Sequence, residues 1–199
     1  MRKLRYWGLV PALCVLALPL LAANKMELGS VGVGKTGTVF EIPLSLDTTD
    51  EVQGLVAAFE WDGTYGAGVD LVVGADLLAL SPDTVITRLE PAFMVVGVVM
   101  DSDGVDDEII LPGVITVATA SIRGLVETVA IVPDGVAPVE FVDGAHATVE
   151  GGPLLDNIVV VGGLSIGTVE GLELVDSSFE VVDPEYSLYV DSANANSNL

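Results

Sequence analysis

GTVFEIPLSL occupies residues 37–46 and VQGLVAAFEWDG residues 52–63, with only DTTDE between them. In the first segment Val39, Glu41, Pro43 and Ser45 alternate with Phe40, Ile42, Leu44 and Leu46. A period of two with one strongly apolar face predicts a half-buried strand. Pro43 has no N–H to give a ladder, which predicts a sheet edge or a bulge at that point. The second segment is a β-branched and aromatic run closed by Asp62-Gly63, the signature of a strand entering a turn.

Similar short runs recur along the chain: AFMVVGVVM, GVITVATASI, PVEFV, HATVE, NIVVV, LSIGTV and SSFEVV, punctuated by Gly, Pro and Asp. Many strands separated by turn signals predict an all-β antiparallel sandwich. Only DLLALSPDTVITRLEP has helical spacing, and Pro82 limits the helix to a turn or two over 75–80. The pairs Gly151-Gly152 and Gly162-Gly163 mark hairpin-like turns.

The first residues, MRKLRYWGLVPALCVLALPLLAANKM, combine basic Arg2, Lys3 and Arg5 with an apolar run from Gly8 to Leu21. This pattern predicts a secretory signal peptide over 1–23 and export to the outside of the cell or its surface. Pro11 and Pro19 interrupt the run, which argues against a membrane-spanning helix. Leu13, not a small residue, precedes Cys14, which argues against a lipoprotein signal. The following 24–183 form one sandwich domain, and the Asn/Ser-rich 184–199 a polar tail or linker.

Beyond residue 23 the cations are Lys25, Lys35, Arg88 and Arg123 against all 29 acidic residues, a formal charge of −25. A field of that sign repels phosphate backbones and anionic lipid, which excludes nucleic acid and membrane surfaces as partners. Cys14 is the only cysteine, so the domain is expected to fold on its apolar core without disulfides. The 51% apolar content is far above that of a disordered acidic tail.

Gly37–Leu46 followed by Val52–Gly63 resembles the opening strands of a cohesin module, in which a Gly-x-Val-x-Val-Pro-Val strand precedes a Val-x-Gly strand ending near an Asp. GVITVATASI and PVEFVDG resemble later strands of that family. The resemblance spans roughly residues 27–182 and implies a jelly-roll sandwich of about nine strands, related to certain carbohydrate-binding modules. It also implies a non-catalytic module that receives a dockerin-type protein partner through one sheet face and its loops. Asp62 is followed by Gly63 where the family commonly has Pro, and no residue matches a dockerin-contacting position. Two other functions stay open on the same fold: extracellular polysaccharide binding and a structural cell-surface role.

VVMDSDGVDDEIILPG, residues 98–113, crowds Asp101, Asp103, Asp106, Asp107 and Glu108 into eight positions. Hard cations favour several carboxylate oxygens, which makes these five the candidate calcium ligands and calcium the one candidate cofactor. An EF-hand is excluded, because Val105 and Pro112 stand where its fifth and twelfth ligands belong. The alternative is a hydrated hairpin loop whose like charges block edge pairing.

Trp61 and Tyr65 are the candidate ligand-binding residues, since a sugar ring stacks on a flat aromatic face. The opposing reading packs Trp61 inside the sandwich or at its rim. His146, with Asp143 three residues earlier, lacks any G-x-S-x-G nucleophile segment, so no enzyme is expected. One histidine and no cysteine after residue 23 disfavour zinc. Gly29 and Gly34-Lys35-Thr36 have phosphate-loop spacing, but no helical pattern follows, and a turn explains them.

Overall fold

The computed structural model describes residues 24–102, 108–128 and 135–182. Among them thirteen strands are defined: β1 (Lys25–Leu28), β2 (Val33–Lys35), β3 (Val39–Thr48), β4 (Val52–Trp61), β5 (Gly66–Val73), β6 (Thr84–Glu90) and β7 (Phe93–Val99) precede β8 (Gly113–Gly124), β9 (Ala137–Phe141), β10 (Ile158–Val161), β11 (Leu164–Ile166), β12 (Glu173–Val175) and β13 (Ser177–Val182). The helix α1 (Ala75–Ala79) and a 3-10 turn at Thr168–Glu170 complete the described elements.

The strands form two sheets. One runs β12-β1-β3-β8-β5; the other runs β11-β10-β4-β9-β13-β2, with β7 on the remaining edge of β4 and β6 outside it. The chain changes sheet at one corner twice. β1 belongs to the first sheet and β2 to the second, and β12 and β13 repeat that passage alongside them. Both corner pairings, β1 with β12 and β2 with β13, are parallel. Ser177 Oγ donates to the Gly29 carbonyl at 2.7 Å and ties the two passages together. These breaks, with short added strands, raise the expected nine to thirteen and make both sheets mixed.

Alternation builds the core as expected. Phe40, Ile42, Leu44 and Leu46 of β3 are all buried, facing Leu55, Ala57 and Phe59 of β4 and Phe179 of β13. The Phe40 and Phe179 rings lie 5.2 Å apart between the sheets. Burying each large apolar side chain contributes about 1.5–3 kcal/mol, ample for a fold without cross-links.

Three local expectations change. Of the two alternatives for Pro43, the edge gives way to the bulge: β3 is interior, the irregularity follows at Leu44/Ser45, and Pro43 pairs with Thr119. Its ring is accommodated because β1 ends at Leu28: Gly29 N–H reaches the Pro43 carbonyl at 2.8 Å, so the missing donor lies where the ladder stops, one residue before a register shift at Leu44/Ser45. HATVE is not a strand. The strands flanking the acidic stretch of 98–113 are not the two arms of one hairpin, because β7 and β8 lie in different sheets. Its second apolar run touches the ladder only at Ile110, which exchanges both backbone hydrogen bonds with Val52.

The helix is as short as Pro82 dictates. Leu77 anchors it in the core, and Ser81 turns the chain out with φ 56°.

Candidate protein-binding face

Because Leu55, Ala57 and Phe59 of β4 point into the core, and Met94, Val96 and Val98 of β7 do likewise, their alternates form the outer face. Strand pairing arranges that face in four rows. The first runs Thr84, Val99, Gly54, Val160, and the second Ile86, Gly97, Val56, Ile158. The third is Arg88, Val95, Ala58, and the fourth Glu90, Phe93, Glu60, Glu140.

The first two rows are open. Val99 is 41% and Ile86 42% exposed. Gly54, Val56, Val99, Ile158 and Val160 line an open groove of about 420 Å³, and Gly97 lies beside Val56 on the same face. Gln53 joins this groove to a second of about 500 Å³ at the strand end, where Asp50, Glu51, Ile109 and Val161 meet. Neither groove is lined by Lys or Arg, and Asp101 stands at the rim of the first. The surface is an apolar trough with an acidic border.

Residues 142–157 cover part of the third and fourth rows. Ala58, Val95 and Ala147 are buried but are not part of the main core. The His146 ring stacks on Phe93, with centroids 3.8 Å apart and planes 5° from parallel, and His146 Nε2 lies 2.8 Å from Glu60 Oε2. On Phe93 also sits the Arg88 guanidinium, 5.1 Å from the ring centre; Arg88 donates to Glu90 at 2.9 Å and to the Ala147 carbonyl at 3.0 Å. His146 therefore meets Glu60, not Asp143, whose Oδ1 accepts from Asn157 N at 2.7 Å.

Trp61 is 4% exposed, and its indole N–H donates to the Gly66 and Pro91 carbonyls at 3.1 and 3.0 Å. Gly66 and Gly68 leave room for it, since a Cβ on either would come within 3.3 Å of the ring. This corrects the platform expectation: both ring faces are committed to packing. Tyr65 is half-buried against the same core.

Of the five acidic candidates, Asp103, Asp106 and Asp107 fall outside the described residues, while Asp101 and Glu108 are half-buried at the two ends of the acidic stretch. Among the described residues no three His, Cys, Asp or Glu side chains converge on a metal position. Asp83 anchors the entrance: its carboxylate accepts Ser102 N–H and Oγ–H, both at 2.7 Å, and these bonds hold its pKa below the ordinary value. The open rows escaped the sequence reading, although Gly97 inside AFMVVGVVM, a strand position with no side chain to pack, was a signal of open space on one face.

No protein-family model matches the sequence, and no curated protein is similar to it in sequence. Solved structures are similar in fold. The third ScaC cohesin from Acetivibrio cellulolyticus, solved with the ScaB dockerin, has a TM-score of 0.59 at 14% identity, covering 80% of this chain and 99% of that one. A non-cellulosomal cohesin from the archaeon Archaeoglobus fulgidus gives 0.54 at 14%, covering 85% and 98%. The cohesin of the OlpA–Doc918 complex from Clostridium thermocellum gives 0.55 at 14%, covering 80% and 99%. With thirteen strands in two facing sheets and this coverage, the chain has a cohesin-like fold.

Proposed function

We propose that this protein is an exported, non-catalytic binding module that docks a protein partner of dockerin type on the outer face of β6, β7, β4 and β10. The observation that carries the reading is the apolar trough lined by Gly54, Val56, Val99, Ile158 and Val160, with Gly97 beside Val56, on a sheet face of a cohesin-like fold. Exposed contiguous apolar surface is uncommon on a soluble monomer and marks interaction sites. Export rests on the basic-then-apolar pattern of 1–23, and a charge of −25 on the remainder keeps the face in solution. The acidic border favours a partner with cations around an apolar ridge, and it makes association salt-dependent. Polysaccharide binding gains no support from Trp61 or Phe93, because Trp61 is buried and the Phe93 ring already carries His146 and Arg88.

The test is surface plasmon resonance of the full chain against a panel of purified dockerin modules at two salt concentrations, with insoluble cellulose retention alongside. Saturable, salt-weakened binding to at least one dockerin supports the reading. Retention on cellulose with no dockerin bound overturns it.

A further inference from the structure

β9 and β10 use the same edge of β4: β9 pairs with Phe59–Trp61 and β10 with Val52–Val56, while β7 occupies the other edge. Residues 142–157 are thus an excursion out of what would otherwise be one strand. The excursion leaves and returns astride Ala58, whose carbonyl accepts Val142 N–H at 3.1 Å and whose N–H donates to Asn157 Oδ1 at 2.7 Å. We propose that this excursion is an autoinhibitory strap that covers one end of the docking face and opens at its tip.

Two sets of contacts hold the strap, and they differ in kind. The base is a closed clamp: Asn157 is 1% exposed, donates from Nδ2 to the Val142 carbonyl and to Asp143 Oδ1, and accepts Ala58 N–H. The tip rests on His146 against Phe93 and Glu60, and on Ala147 against Arg88. Beneath the tip the buried side chains outside the main core are small, Ala58, Val95 and Ala147. So little apolar area makes opening inexpensive relative to global unfolding.

The strap also carries its own order. Gly144 N–H bonds the Leu155 carbonyl, Leu155 N–H bonds the His146 carbonyl, and Gly152 N–H bonds the Val149 carbonyl. Gly144 and Gly151 take φ of 65° and 73°, conformations other residues adopt with strain. The unit can therefore swing about Gly144 without dissolving. Its removal from the sheet adds Val95, Ala58 and Phe93, flanked by Arg88, Glu60 and Glu90, to the apolar surface of Gly97, Val56 and Val99.

The strap's value as an inhibitor rests on the docking reading above, but its opening is measured with no partner. Hydrogen exchange of the full chain is compared for wild type, His146→Ala and Arg88→Ala, with Nile red emission as a report of uncovered apolar surface. Release of the tip predicts exchange about tenfold faster across 144–155 in each variant, brighter Nile red, and unchanged protection of β4 and β7. Exchange in 144–155 equal to wild type in both variants, or faster only together with β4 and β7, overturns the proposal. If exchange responds while dockerin affinity does not rise in His146→Ala, the strap opens but the face assignment is wrong.

Discussion

Gly97 pairs with Val56 across β4 and β7, and a Cβ built on Gly97 meets no atom within 4 Å. One row along, a Cβ on Gly54 would sit 2.7 Å from the Val98 carbonyl oxygen. The two glycines serve the same face for different reasons, since Gly97 leaves space above the sheet and Gly54 lets backbones approach. Gly54→Ala is expected to cost about 1–3 kcal/mol through forced backbone displacement. Gly97→Ala is expected to be neutral or to stabilise by up to about 1 kcal/mol through lower unfolded-state entropy. Urea unfolding of both variants checks the contrast.

Asn157 satisfies the buried N–H of Ala58 where the β9/β10 edge of β4 has no strand neighbour. Asn157→Ala leaves that donor and the Val142 carbonyl without their partner. A loss of about 1–3 kcal/mol is expected, larger than for a surface asparagine. Asn157→Asp removes the amide donors beside Asp143 and adds like charge, so it is expected to be at least as destabilising in the same unfolding assay.

The apolar stripe of β3 was legible because Phe40, Ile42, Leu44 and Leu46 repeat at the strand period, and all four are buried. The cohesin-like sandwich was legible from the same segments. β5 and β6 were not, since Gly66, Gly68 and Asp70 dilute one and the other is a half-exposed edge strand that shares a segment with α1. The docking rows needed pairing register, which relates Val56 to Gly97 and Ile158 across three strands and leaves no trace along any one of them. HATVE has strand composition, but His146 and Ala147 are claimed by Phe93, Glu60 and Arg88, and these tertiary contacts override its propensity.

Asp83 and Asp62 are both held below the ordinary carboxylate pKa, Asp83 by Ser102 and Asp62 by Thr64. A depressed folded-state pKa means the unfolded chain binds more protons. The stabilisation is therefore full above the unfolded carboxylate range and is lost as pH falls through the folded value. Asp83→Asn is expected to flatten the acid limb of stability against pH while leaving the contribution of Asp62 in place. Thermal melts from neutral to acid pH measure the slopes, and an unchanged limb contradicts the assignment.

Trp61 donates to two carbonyls from different segments, Gly66 and Pro91. Trp61→Phe keeps an aromatic ring but loses both bonds, at an expected cost of about 1–3 kcal/mol. Because the ring is buried, neither wild type nor variant is expected on an insoluble polysaccharide. Sedimentation with cellulose, paired with the unfolding curve, separates a packing role from a binding role.

The most direct measurement is the affinity of a bound dockerin module for two variants on opposite sheets. Gly97→Leu places a side chain into the open space beside the trough, whereas Val114→Asp alters a residue 73% exposed on β8 in the other sheet. Docking on the trough predicts at least about a tenfold rise in Kd for Gly97→Leu, with Val114→Asp within about twofold of wild type. Equal affinity for Gly97→Leu and wild type, or loss in Val114→Asp alone, would contradict the account.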